Sequence, residues 1–181
     1  MKFSRVGFAG IVLVVLLVAA PVATLADESK FFSQVGLRVG INDDENEEDF
    51  TQVQVYGIIP MKWNSRGGGW FLDTMLQGTI AALHADGDTG AVFTFGPGIE
   101  FGPESIPLTV SLGISPSAAT KAHYGDEDLG GWFYFTSYLG FNYRLGENLG
   151  LGFHASHMSN AGIKDRNPGI NIFALEVSYH F

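Results

Sequence analysis

The sequence predicts an all-β protein: an eight-stranded antiparallel up-and-down transmembrane β-barrel. Three observations predict it. Apolar residues alternate with polar or small ones in segment after segment, at the two-residue period of a strand. The face between the apolar residues is made of Gly, Ser, Thr, Gln, Arg and Glu. Turn-forming clusters separate the segments, and the last segment ends on an aromatic residue, Phe181.

The first strand sets Phe31, Ser33, Val35, Leu37 and Val39 against Phe32, Gln34, Gly36, Arg38 and Gly40. The second, from Phe50 to Ile59, sets Val53 and Val55 against Gln52, Gln54 and Tyr56. In the third, Trp70, Leu72, Leu76 and Ile80 oppose Asp73, Gln77 and Thr79. The fourth places Ala91, Phe93, Phe95, Ile99 and Phe101 opposite Thr94, Gly96, Gly98 and Glu100. Leu108, Val110, Leu112 and Ile114 form the apolar face of the fifth, with Thr109, Ser111 and Gly113 behind it. The sixth sets Phe133, Phe135, Leu139, Phe141 and Tyr143 against Tyr134, Thr136, Tyr138, Asn142 and Arg144. Leu149, Leu151 and Phe153 mark the seventh. Phe173, Leu175, Val177, Tyr179 and Phe181 mark the eighth, against Ala174, Glu176, Ser178 and His180.

Alternation alone also fits a soluble sandwich or a ligand-holding barrel, whose apolar side would face inward. Here the other face holds small and polar groups suited to a narrow, hydrogen-bonded lumen. The apolar face then belongs in hydrocarbon, where a closed barrel satisfies every backbone group. Segments of about ten residues match a tilted crossing. With both termini at one end, the connections there read PMKWNSRGGG, GPESIP and GEN. Those at the other end read INDDENEEDF, ADGDTG, PSAATKAHYGDEDLGG and NAGIKDRNPGI, and hold much of the acid. Trp63, Trp70 and Trp132 fall near strand ends, where interfacial aromatics belong.

The N-terminal segment has Lys2 and Arg5, an apolar run from Val6 to Ala20, and small residues around Ala23 to Ala26. This is the layout of a secretory signal peptide over residues 1–26, leaving 27–181 as the barrel domain. Its removal takes two cations and no anions from a chain already at −9. So acidic a body, without a basic stripe, excludes nucleic acid as a partner. The absence of Cys excludes disulfides and thiolate metal sites. The run DDENEED, from Asp43 to Asp49, is a solvated outer loop, or a place for divalent cations bridging to lipopolysaccharide phosphates. It lacks EF-hand spacing, and His84, His123 and His180 are scattered, so no metal site is assigned.

Two His-x-Ser pairs overlap on the seventh strand. His154 and Ser156 are even-numbered, against the odd parity of Leu149, Leu151 and Phe153, and so point into the lumen. His157 and Ser159 are odd-numbered and fall on the membrane-facing surface at the strand's outer end, with Asn171 across the hairpin. A titratable residue beside Ser at an apolar boundary needs a polar partner; on pattern alone the pair is either a candidate base and nucleophile or an interfacial pair wetted by the loop above.

The longer run HMSNAGIKDRNPGIN resembles the C-terminal signature of the lipid A 3-O-deacylases, the PagL family: H-x-S-N-A-G, a variable stretch, then N-P-G-x-E before a last strand. The matching residues are His157, Ser159, Asn160, Ala161, Gly162, Asn167, Pro168 and Gly169. The resemblance implies an outer-membrane esterase of Gram-negative bacteria that acts on lipid A and lipopolysaccharide at the external leaflet without a cofactor. It implies His157 as general base and Ser159 as nucleophile. Asn160, Asn167 and the backbone N–H groups of Ala161 and Gly162 are the candidate oxyanion donors. The family's Glu, which orients the His, is Asn171 here. An amide oxygen accepts the imidazole N–H but brings no charge, and the amide NH₂ in that place would select the wrong tautomer. Two functional classes follow: a serine esterase on lipid A, or a small barrel with a disabled site serving structure, adhesion or lipopolysaccharide binding.

Overall fold

The computed structural model describes residues 31–43, 46 and 48–181. The expected leader, residues 1–26, lies outside them. The strands are β1 (Gln34–Asn42), β2 (Thr51–Gly67), β3 (Trp70–Ala85), β4 (Asp88–Pro103) and β5 (Leu108–Ala119), then β8 (Phe133–Leu145), β9 (Leu149–Ser159) and β10 (Ile170–His180). These eight pair antiparallel in a closed barrel, and β1 against β10 makes the closure. A two-stranded ribbon, β6 (His123–Tyr124) with β7 (Glu127–Asp128), sits in the connection from β5 to β8. The expected eight-stranded up-and-down barrel is therefore the observed one.

The period-two pattern sets the wall. Val53, Val55, Ile80, Phe93, Phe95, Ile114, Leu139, Phe141, Leu151 and Phe173 are exposed, and Leu175 is 73% exposed. In a transmembrane barrel this apolar exterior meets acyl chains rather than water. The same strands turn Arg38, Gln54, Gln77, Asn142 and Glu176 inward, all buried. Arg38 organises them: its Nε donates to Glu176 Oε2 at 2.7 Å, Nη1 to Gln54 Oε1 at 2.9 Å and Nη2 to Gln77 Oε1 at 3.1 Å. Its guanidinium also lies 3.8 Å from the Tyr56 ring centroid. Gly98 and Gly113 leave the room for the Tyr138 hydroxyl, since a Cβ at either would sit within 2.6 Å of that oxygen.

The polar lumen does not run the full height of the barrel. At the end carrying the longer loops, Phe50, Leu83, Tyr134, Met158, Ile170 and Ile172 form a buried apolar cluster that caps it. The bore is thus polar in the middle and sealed by packing at one end.

Several connections are tighter than their composition suggests. The first turn, read as ten residues, is a two-residue tip at Gly68 and Gly69, both with positive φ, because β2 continues to Gly67. A register shift between Pro60 and Asn64 absorbs extra residues in β2. At the other end ADGDTG is a two-residue hairpin: Asp86 and Gly87 both have positive φ, the conformation such a tip requires. Trp63 and Trp70 lie at one end of the barrel wall and Trp132 at the other, all exposed, as two interfacial belts would be.

Candidate active site

The strict alternation of β9 decides where its two histidines go. Leu149, Leu151 and Phe153 are exposed, and His157 continues that outward series, with Ser159 two residues further on the same face. His154 is inward and buried, stacked on Tyr138 with ring centroids 5.2 Å apart. The lumenal His-x-Ser pair therefore belongs to the interior packing, and the outward pair is the one a membrane-borne molecule can reach.

The antiparallel register then supplies the partner. His157 pairs with Asn171 across β9 and β10, and the same pairing on the other side sets Ser137 of β8 against His157. The His157 Nδ1–H donates to Asn171 Oδ1 at 2.8 Å. Asn171 in turn donates through Nδ2 to Asp43 Oδ2, also at 2.8 Å. Gly169, with φ of +73°, lies under the imidazole: a Cβ there would come within 2.9 Å of His157 Cε1. Among the described residues no hydrogen bond joins His157 to Ser159. Catalytic hydrogen bonds of this kind commonly close only when substrate is bound. Across from Ser159 on β8 is Phe135, which meets Phe133 edge to face at 5.3 Å.

The loop from 160 to 169 holds the four predicted oxyanion candidates, and its hydrogen bonds sort them. Asn160 is fully buried and its side chain is committed within the loop. Its Nδ2 donates to Arg166 O at 2.7 Å and Gly130 O at 3.2 Å, and its Oδ1 accepts from the Gly162 N–H at 3.0 Å. The Asn160 N–H donates to Asn167 Oδ1 at 2.8 Å. Both amide hydrogens of Asn160 and the N–H of Gly162 are thus engaged. Among the described residues the Ala161 N–H and the Asn167 Nδ2 group carry no hydrogen bond. Ala161 takes φ of +54° and Gly162 +77°, so the chain after Ser159 turns sharply back.

The carboxylate at this site is one the sequence reading missed. Glu176, the one carboxylate that β10 carries, is inside the barrel on Arg38. Asp43 lies just beyond β1, and only the closure of β1 onto β10 brings it beside Asn171. A signal was available: the first and last strands of a closed barrel must pair. The acidic run reads as a solvated loop or a place for bridging cations, and two of its described residues are tied down. Asn46 Nδ2 donates to Gly169 O at 2.8 Å, and Glu48 Oε1 accepts from the Asp126 N–H at 3.0 Å. The scattered histidines have separate surroundings: His84 Nδ1 meets Thr89, His123 meets Asp128, and His180 meets Ser178.

Residues 49–180 match the family described as Lipid A 3-O-deacylase (PagL). The chain is 28% identical over 158 residues to Lipid A deacylase PagL of Bordetella bronchiseptica, covering 81% of this chain and 83% of that protein. It is 33% identical over 76 residues to Lipid A deacylase PagL of Pseudomonas aeruginosa, covering 42% and 44% respectively. Among solved structures, the crystal structure of the outer membrane enzyme PagL is similar in fold, with a TM-score of 0.71 at 21% identity. That match covers 82% of this chain and 99% of the solved one. A family match over most of the sequence, on a chain that closes into the same kind of barrel, means that this protein belongs to the lipid A 3-O-deacylase (PagL) family.

Proposed function

We propose that this chain is an outer-membrane serine esterase that hydrolyses the 3-position acyl ester of lipid A. Ser159 is the nucleophile, His157 the general base and Asn171 the residue that orients the imidazole. The observation that carries the reading is the 2.8 Å hydrogen bond from His157 Nδ1 to Asn171 Oδ1 on the membrane-facing wall. An acceptor at Nδ1 holds the proton there, so Nε2 keeps its lone pair for the serine hydroxyl.

The chemistry follows the acyl-transfer pattern. His157 Nε2 takes the Ser159 proton as Oγ attacks the ester carbonyl, giving a tetrahedral oxyanion. The Ala161 N–H and Asn167 Nδ2, the two donors left uncommitted by the loop, stabilise that charge. Collapse breaks the bond to the sugar oxygen, which leaves with the proton from His157. Water, activated by the same imidazole, then releases the fatty acid and regenerates the Ser159 hydroxyl. Because lipid A is itself a membrane component, a site on the outer wall requires no passage through the sealed lumen. The acyl chain being cleaved runs along Phe135 and Phe133, which already face the bilayer. The longer, acidic loops share this end of the barrel, and we assign it to the external leaflet.

The test is mass spectrometry of hexa-acylated lipid A incubated with purified protein. The expected result is loss of one hydroxyacyl chain. Ser159→Ala should reduce the rate by several orders of magnitude, on the scale of the about 10⁶-fold seen when a hydrolase triad loses its nucleophile. Release that persists in Ser159→Ala would remove this residue as nucleophile. The uncharged Asn171 favours a second reading, a barrel that binds lipopolysaccharide without turning it over. Retained lipid A binding with no release by any form would select it.

A further inference from the structure

We infer that Asp43 is the acid of this site, a positioning residue that acts on His157 through Asn171; the inference rests on the esterase reading above. The backbone register places it there. Asn42, the last residue of β1, stands opposite Ile172 of β10, and Asp43 follows just past the end of that ladder, where its carboxylate reaches the Asn171 side chain. Asn171 pairs with His157 on its other side. The end of β1 and the neighbouring strands β10 and β9 thus bring Asp43, Asn171 and His157 into one row, joined by two hydrogen bonds of 2.8 Å.

The chemistry of the row settles what each group does. An ionised carboxylate only accepts, so the Asn171 amide must direct its NH₂ at Asp43. Its carbonyl oxygen then has to face the imidazole, which fixes the Nδ1–H tautomer and leaves Nε2 as the base. Without Asp43, nothing in this row prevents the amide from turning over and offering NH₂ to Nδ1, the tautomer that disables the site. Asp43 also puts a negative charge behind the amide when His157 gains its proton. The carboxylate meets the amide through Oδ2, and its Oδ1 is buried without a hydrogen-bond partner among the described residues. Asn46, three residues on, donates to Gly169 O beside the imidazole. The family's orienting Glu is here divided between two residues, an amide that touches the ring and a carboxylate that orders the amide.

The decisive experiment exchanges the two groups. Asp43→Asn should lower kcat by about 10²-fold, the scale of a misplaced catalytic group, with KM for lipid A little changed. Asn171→Asp should also be slow, because it sets two carboxylates face to face. The double variant Asp43→Asn/Asn171→Asp restores one amide and one carboxylate with the charge moved onto the imidazole, and should reach at least the native kcat. The same Asp43→Asn change then lowers activity in one background and raises it in the other, which a loop anchor would not do. A native kcat in Asp43→Asn, or losses that simply accumulate in the double variant, would overturn the proposal while Ser159→Ala still tests the esterase reading by itself. An independent readout covers the case of a protein that releases no acyl chain. In ¹⁵N-histidine spectra of the folded barrel, with His157 assigned by His157→Gln, the native form should show the Nδ1–H tautomer and Asp43→Asn should lose it. An unchanged tautomer would sink the idea even without turnover.

Discussion

Gly169 and the His157 ring show how a single hydrogen atom in place of a methyl group protects the site. Two constraints meet at this glycine. Its φ of +73° is in the left-handed region, where a side chain costs about 1–2 kcal/mol, and its missing Cβ would lie 2.9 Å from the imidazole. Gly169→Ala is therefore expected to push the ring away from Asn171 and to cut kcat by about 10²-fold. The unfolding free energy should fall by no more than that backbone strain, about 1–2 kcal/mol. Initial rates and a denaturant titration on the same sample check both halves. A variant with native turnover would mean that the ring tolerates a displaced position. This role was invisible in the sequence, where N-P-G reads only as turn chemistry; which atoms a glycine must avoid depends on the register of β9 against β10.

At the scale of elements, the β9–β10 hairpin and its loop behave as one unit knotted by Asn160. Removing its side chain in Asn160→Ala deletes the hydrogen bonds it makes to Arg166 O, Gly130 O and the Gly162 N–H. Each lost bond in a buried setting is worth about 1 kcal/mol or more. The loop from 160 to 169 should then exchange its amide hydrogens much faster while the strand amides of β9 and β10 hold their protection. Deacylation should fall with it, since Ala161 and Asn167 lose their fixed positions. Unchanged exchange across the loop would show that Asn160 is not its anchor.

The elements also show where sequence reading succeeds and where it stops. The face of His157 could be read because β9 keeps odd residues outward without a bulge. The end of β2 could not: PMKWNSRGGG looks like a turn, but pairing of Asn64 with Asp73 and Ser65 with Leu72 next to a tight glycine tip keeps the chain extended. Asp43 was hidden for a third reason. Its partner lies 128 residues away, and only closure of the whole sheet makes them neighbours.

For the molecule as a whole, the same polar network that fills the lumen has to hold the cylinder together and keep it closed. Arg38 is 3% exposed and binds Glu176, Gln54 and Gln77, carried by β10, β2 and β3, so one guanidinium ties β1 to three other strands. Arg38→Ala would leave the Glu176 carboxylate buried without its cation, beside the uncharged Asn142 and Tyr56. Breaking a buried ion pair from one side in this way typically costs about 3–5 kcal/mol. Urea unfolding in lipid or detergent should show a loss of that order, and Arg38→Met/Glu176→Gln should recover most of it, because no charge is then stranded. A pore is not expected to open in either variant. The apolar cap of Phe50, Leu83, Tyr134, Met158, Ile170 and Ile172 does not depend on the ion pair and closes the bore above it. Planar-bilayer recordings should therefore show no large, steady channel from the native protein or from Arg38→Ala. Such a channel in Arg38→Ala alone would mean that charge pairing, and not packing, seals the barrel. If the native protein conducted, the reactive face would no longer be confined to the outer wall, and a route for substrate through the bore would have to be considered.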